Sequence, residues 1–212
     1  MAELLTDSKM VAVLDSVYEK VLDGVPKVSQ PVSQLADDYL AKHSSVEKAA
    51  RSFINYQIAK CTTSGFVTNL GGLITLPVAI PANVGSVLYI QLRMVAALAH
   101  MGGFDLNSDQ VQTMCYVCLV GNAAADLLKQ SAIKIGEKAA DAAIKKIPAT
   151  VLRSINKKVG FRLITKTGQK GALVLTKLLP VVGGIVGGGM DLASTKIIAD
   201  NAYKMFIKKQ DL

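Results

Sequence analysis

The chain has 212 residues, of which 50% are apolar, 5% are aromatic and 19% are charged, and its formal net charge is +8 at pH 7. This length suffices for one sizeable hydrophobic core. A mean hydropathy of +0.35 lies below that of a polytopic membrane protein. Three cysteines in apolar surroundings imply no disulfide framework and favour a reducing cytosol.

The charges are unevenly distributed along the chain. Residues 1–50 carry eight acids and five bases, whereas residues 128–212 carry sixteen bases and five acids. No charged side chain occurs from Cys61 to Leu92. The asymmetry predicts an anionic partner for the C-terminal half, either a membrane surface or nucleic acid, and a solvated lysine-rich face is the alternative.

Apolar periodicity and helix-breaking residues predict a succession of helices. They lie at about 11–22, 31–40, 44–62, 65–76, 82–101, 109–128, 130–147 and 150–166, with a helix entering Pro180 and a last one through the glycines to about Lys208. Ser44 and Glu47 have the spacing of a capping box, and Gly102-Gly103 that of a left-handed cap. No segment alternates apolar and polar residues over strand length. The predicted fold class is therefore all-α, a single multi-helix bundle over residues 1–212.

Two apolar segments bear on membrane spanning, which needs about 20 apolar residues. Pro77 and Pro81 interrupt the uncharged segment, and thirteen uncharged residues separate Lys177 from Asp191. Neither segment is a clean span. We expect residues 65–101 to form an apolar hairpin buried in the bundle, and a hairpin that inserts into a bilayer is the alternative. The glycines of residues 183–189 have small-xxx-small spacing, which favours close packing of another helix.

A basic amphipathic helix at about 150–166 is the strongest sign of a ligand. Such a helix suits anionic headgroups. Nucleic acid is disfavoured because Phe161 is the only aromatic residue in the basic run. The predicted headgroup contacts are Lys157, Lys158, Arg162, Lys166 and Lys170.

The residues do not assemble into a catalytic constellation. His100 and Asp105, five residues apart across a glycine turn, can pair as base and acid, and a capping or core histidine is the alternative. With Asp191 they form a candidate polar pocket, in which Asp191 is a salt-bridge partner or a ligand contact. Cys115 and Cys118 have metal-ligand spacing inside an apolar helix without a second pair, so we expect structural cysteines, no metal and no cofactor.

Two motifs in this order resemble the bacterial EcsC family. Gly71–Pro81, followed by Leu92–Asp105, is similar to the family's glycine and proline hairpin, and Leu179–Asp191 with Thr195–Phe206 is similar to its closing helix. The resemblance covers about residues 55–206, after acidic N-terminal helices at 1–54. It implies an α-helical bacterial protein, cytoplasmic or membrane-associated, with no catalytic residues to carry over. The family takes its name from a gene beside a transporter operon, which makes a transporter a candidate partner.

We therefore expect a non-enzymatic protein that binds an anionic membrane surface or lipid through its basic C-terminal half. Because the first residues lack a basic segment and an apolar segment of a secretory signal, we expect a cytoplasmic protein, peripheral on the inner face of the cell membrane. An enzyme acting on a lipid or a small hydrophobic substrate is one alternative. A soluble adaptor for a transporter, or a homo-oligomer, is another.

Overall fold

A computed structural model of the protein describes residues 6–61, 82–134, 140–166 and 186–212, with the backbone alone at 60–61, 82–84, 166 and 186–192. Within these ranges the chain forms nine α-helices and no β-strand, which confirms the all-α fold class. The helices are α1 (Asp7–Asp23), α2 (Val32–Lys42), α3 (Val46–Cys61), α4 (Ala82–Met101), α5 (Asp109–Leu119), α6 (Ala124–Gln130), α7 (Ala140–Lys145), α8 (Ala149–Lys166) and α9 (Val186–Ala202).

Helix α4 lies at the centre of the described fold. It packs against α1, α2, α3, α5, α9 and the π-helical turn Tyr203–Ile207 that follows α9. From Leu92 to Ala99 every residue except Arg93 is buried, as expected for a helix that is apolar all round. The predicted helix at 82–101 is confirmed, and its predicted partner at 65–76 lies outside the described residues.

Glycines set the end of α4. Gly103 has a φ of 83°, which confirms the predicted left-handed cap. A Cβ atom at Gly102 would collide with the carbonyl oxygen of Phe206 in the π-helical turn. The absence of a side chain at Gly102 therefore lets the C-terminal segment pack directly on the end of the central helix.

Helix α1 packs most extensively on α8 and next on α4. Its first turn is capped by Thr6, whose Oγ1 accepts a hydrogen bond from the backbone N–H of Lys9 at 3.3 Å. Gly24, with a φ of 78°, ends the helix. The helix covers the predicted span of about 11–22 and extends beyond it at its N-terminus to Asp7.

The predicted capping box of α3 is wrong. The backbone N–H of Lys48 donates to the Ser45 hydroxyl at 3.3 Å, so the helix begins one residue later than the Ser44–Glu47 spacing indicates. The Glu47 carboxylate instead accepts a hydrogen bond from Lys208 Nζ at 2.6 Å. Glu47 therefore forms a long-range ion pair in place of the predicted capping hydrogen bond.

Two predicted helices are interrupted. The segment 109–128 breaks after Leu119 into a 3-10 turn at Gly121–Ala123, where Gly121 has a φ of 61°. Asn201 Nδ2 donates to the Gly121 carbonyl at 2.9 Å, and the backbone N–H of Ala124 donates to the same oxygen, so a side chain of α9 contacts the backbone at the break. The predicted helix at 130–147 is also wrong near its start, because α6 ends at Gln130 and Ala132 takes a positive φ of 54°.

All nine helices contribute to one cluster of buried apolar residues. Among the parts of the chain that the structure describes, no helix combines the length and the apolar content needed to cross a membrane.

Candidate functional site

The outward face of α8 presents two cations followed by an exposed aromatic ring. Arg153, Lys157 and Phe161 are exposed and follow one another at intervals of four residues, which places them along one stripe of the helix. Phe161 is 60% exposed, the largest value among the exposed large apolar side chains of the described residues. We call Arg153, Lys157 and Phe161 the α8 stripe.

The opposite face of α8 explains why this stripe points outward. Leu152, Ile155 and Val159 are buried in the core. Gly160 lies against the first turn of α1, where a Cβ atom would come within 2.6 Å of the backbone oxygen of Asp7. The helix is therefore held by its apolar face and by close backbone contact, and the α8 stripe is left to solvent.

The ion pair of Lys157 is weak. Its Nζ lies 3.9 Å from Asp7 Oδ2, and its side chain remains 77% exposed. Exposed pairs at such a distance contribute little, about 0–1 kcal/mol. The ammonium group of Lys157 is accordingly accessible to another anion.

The predicted headgroup residues are divided between two environments. Lys157 is exposed, whereas Lys158 and Arg162 are half-buried. Arg162 Nη1 donates to the carbonyl oxygen of Ala123 at 3.0 Å, so this guanidinium binds the backbone at the break between α5 and α6. The side chain of Lys166 and all of Lys170 lie outside the described residues.

Arg153 and Phe161 are the members of the α8 stripe that the sequence prediction left out of its headgroup set. The available signal was their spacing of four from Lys157 in the basic run. This signal is ambiguous because Lys158, Arg162 and Lys166 have the same spacing. Periodicity alone does not say which stripe of a helix faces solvent.

The predicted polar pocket is assembled differently from the expectation. His100 Nε2 lies 2.9 Å from Asp37 Oδ1 of α2, not against Asp105. Asp105 Oδ1 accepts a hydrogen bond from the backbone N–H of Asn107 at 3.0 Å, so it caps the turn before α5. Both residues line one open cavity of about 510 Å³. The side chain of Asp191, in α9, lies outside the described residues.

The two central cysteines are buried in α5. Burial raises the pKa of the Cys115 thiol, and it raises the pKa of the Cys118 thiol as well. Both groups are therefore held in the neutral thiol form, which is neither nucleophilic nor a metal ligand. No cluster of three or more His, Cys, Asp or Glu residues within the described ranges is arranged to hold a metal ion.

Comparison with known proteins identifies the family. Neither the curated proteins nor the solved structures gave a significant match to the chain. The family model of the EcsC protein family matches residues 5–209. The match begins well before residue 55, where the resemblance from sequence began, so it takes in the acidic N-terminal helices α1 and α2. The chain therefore belongs to the EcsC family.

Proposed function

We propose that the protein is a peripheral membrane protein that binds anionic lipid through the α8 stripe. The observation that supports this most directly is the exposure of Phe161, with Lys157 and Arg153 one and two helical turns away. An exposed aromatic ring beside cations is the chemistry of an interfacial helix, in which the ring enters the acyl boundary and the cations contact the headgroups.

The expected binding is weak and reversible. Burying a phenylalanine side chain is worth about 1.5–3 kcal/mol, and each lysine or arginine near an anionic surface adds about 1 kcal/mol. The α8 stripe therefore supplies roughly 3.5–5 kcal/mol, similar to a single myristoyl chain. Lys158, half-buried on the same helix, and the excess of bases in residues 128–212 would add to the electrostatic part.

Vesicle co-sedimentation tests the proposal. We expect the wild-type protein to sediment with vesicles that contain anionic lipid, to stay in the supernatant with neutral vesicles, and to be released by salt, since exposed charges are screened. The double substitution Lys157→Gln and Lys158→Gln should lower binding to anionic vesicles about thirtyfold, at about 1 kcal/mol for each lysine.

The double substitution Lys196→Gln and Lys204→Gln is the matched control, because it also removes two positive charges, from exposed positions outside α8. Its effect on binding should be much smaller than that of the substitutions at Lys157 and Lys158. Equal binding of wild-type protein to neutral and anionic vesicles, or a variant at Lys157 and Lys158 that binds as well as wild type, would contradict the proposal.

The location that accompanies this proposal is the inner face of the cell membrane. The alternatives from sequence stay predictions: an enzyme that uses His100, Asp105 and Asp191 on a lipid or small hydrophobic substrate, a transporter adaptor, and a homo-oligomer.

A further inference from the structure

We propose that a pocket between α2, α3 and α4 binds an anionic group, a phosphate or a carboxylate, at the guanidinium of Arg93. The pocket has a volume of about 230 Å³. None of the residues that line it belongs to α8, so this site is separate from the α8 stripe and does not rest on the proposed function.

Arg93 has unused hydrogen-bonding capacity. Its Nη2 donates to the carbonyl oxygen of Gln30 at 2.7 Å, in the loop between α1 and α2. Its Nε is buried and has no hydrogen-bond partner among the described residues. A guanidinium has five N–H donors, and a buried donor without a partner costs about 1–3 kcal/mol. The remaining N–H groups of the guanidinium can donate to a bound anion.

The charge of Arg93 is also unbalanced. No carboxylate of the described residues forms an ion pair with it. Desolvation lowers the pKa of Arg93 from its ordinary value, although an arginine remains charged at neutral pH. Buried charges are ordinarily paired, so a half-buried cation without a partner among the described residues can take a bound anion as its counter-ion.

The rest of the lining favours an anion carried by an apolar group. Lys42 adds a second positive charge at an exposed position, and the aromatic rings of Tyr39 and Tyr89 form part of the wall. Leu35 and Ile90 supply aliphatic surface. The volume corresponds to roughly eight water molecules at about 30 Å³ each, so the pocket has room for a group larger than inorganic phosphate.

Asp38 allows a test in which a substitution should increase the affinity for an anion. Its carboxylate accepts a hydrogen bond from Gln30 Nε2 at 3.0 Å and lies at the exposed edge of the pocket. There it repels an anion that Arg93 attracts. Asp38→Asn retains an oxygen acceptor for Gln30 and removes the repulsion, so this substitution should strengthen binding of an anion.

The experiment is calorimetric titration of the full chain with hexyl phosphate and with inorganic phosphate. We expect hexyl phosphate to bind more tightly, because its alkyl group meets the aliphatic wall. Arg93→Gln should weaken binding about tenfold or more, the effect of losing a charge-assisted hydrogen bond. Lys196→Gln, which removes one positive charge from an exposed position on α9 outside both sites, should leave the affinity unchanged.

Two further variants keep the test decisive if Arg93→Gln fails to fold, which circular dichroism would reveal. Lys42→Gln changes an exposed side chain and should weaken binding several-fold, while Asp38→Asn should strengthen it. The proposal is overturned if neither phosphate binds, if Lys196→Gln weakens binding as much as the pocket variants do, or if Asp38→Asn and Lys42→Gln have no effect.

Competition identifies where the anion comes from. If vesicles that contain phosphatidic acid displace hexyl phosphate, the source is a lipid headgroup. If they do not displace it, the source is a soluble phosphate ester or carboxylate. Both results uphold the Arg93 site.

Discussion

Asp15 joins α1 to α5 through a half-buried carboxylate. Tyr116 Oη donates to Asp15 Oδ1 at 2.8 Å, and Gln112 Nε2 donates to the same oxygen at 3.0 Å. Desolvation raises the pKa of Asp15 above its ordinary value of 3.8, although both hydrogen bonds act in the opposite direction. The native fold therefore favours the protonated form of this group more than the unfolded chain does.

Asp15→Asn should increase the free energy of unfolding at pH 7, because asparagine keeps the oxygen acceptor without the charge. The contribution of Asp15 is fully present below its unfolded pKa of about 3.8 and is lost as the pH rises through its higher folded value. The gain from Asp15→Asn should therefore shrink as the pH falls towards 3.8. Urea unfolding over this range measures it, with Asp200→Asn, at an exposed position, as the control. A gain that grows on acidification would contradict the account.

The side chain of Asn201 forms a hydrogen bond with the backbone of a distant segment. Asn201→Asp keeps the shape but replaces the donor to the buried Gly121 carbonyl with a carboxylate, so it should lower the free energy of unfolding by about 1–3 kcal/mol. Asn122→Asp, at an exposed position in the same turn, should have a much smaller effect. Chemical denaturation of both variants measures the difference, and equal losses would argue against a role for the Asn201 hydrogen bond.

Such residues could not be predicted from sequence. Asn201 and Arg162 lie 80 and 39 residues from the carbonyls that they satisfy. These contacts form at the helix break that begins at Gly121, although the alanine-rich sequence around it has high helix propensity. Tertiary contacts decided against local propensity here, as they did for Glu47 and Lys208.

At the scale of elements, apolar periodicity was sufficient to predict a helix wherever that helix has one apolar face or is wholly apolar. Helices α1, α4 and α8 begin and end within a few residues of the predicted bounds. The break at residues 120–123 was missed because side chains of α8 and α9 bind its backbone. The turn after Gln130 was missed as well. The exposed stripe of α8 was missed for a similar reason, since only the packing of α1 and α5 on α8 shows which side of the helix is covered.

The contact between α1 and α8 depends on the absence of a side chain. Alanine is ordinarily more favourable than glycine inside a helix by about 1 kcal/mol. At Gly160 we expect the reverse, a loss of about 1–3 kcal/mol, because the Cβ atom would meet the Asp7 backbone. Ser154→Ala, at an exposed position of the same helix, should be neutral or slightly stabilising. Thermal unfolding compares the two variants, and a Gly160→Ala protein more stable than wild type would show that α1 can move aside.

At the scale of the whole molecule, one all-α core supports two separate surfaces that have chemistry for anions. The α8 stripe is open and has an aromatic side chain at its end, as an extended surface requires. The Arg93 pocket is recessed and small, as a single group requires. The sequence indicated an anionic partner through its charge asymmetry, but it could not separate these surfaces, because Arg93 lies far from the basic run.

The most direct measurement places a fluorescent reporter at the proposed contact. The chain contains no tryptophan, so Phe161→Trp introduces a single one in the α8 stripe. Val46→Trp, at an exposed apolar position in α3, is the matched reporter away from it. We predict that anionic vesicles shift the emission of Trp at position 161 to shorter wavelength, that neutral vesicles do not, and that the reporter at position 46 stays unchanged with both. An unchanged spectrum at position 161 under conditions where the protein sediments with anionic vesicles would contradict binding through the α8 stripe.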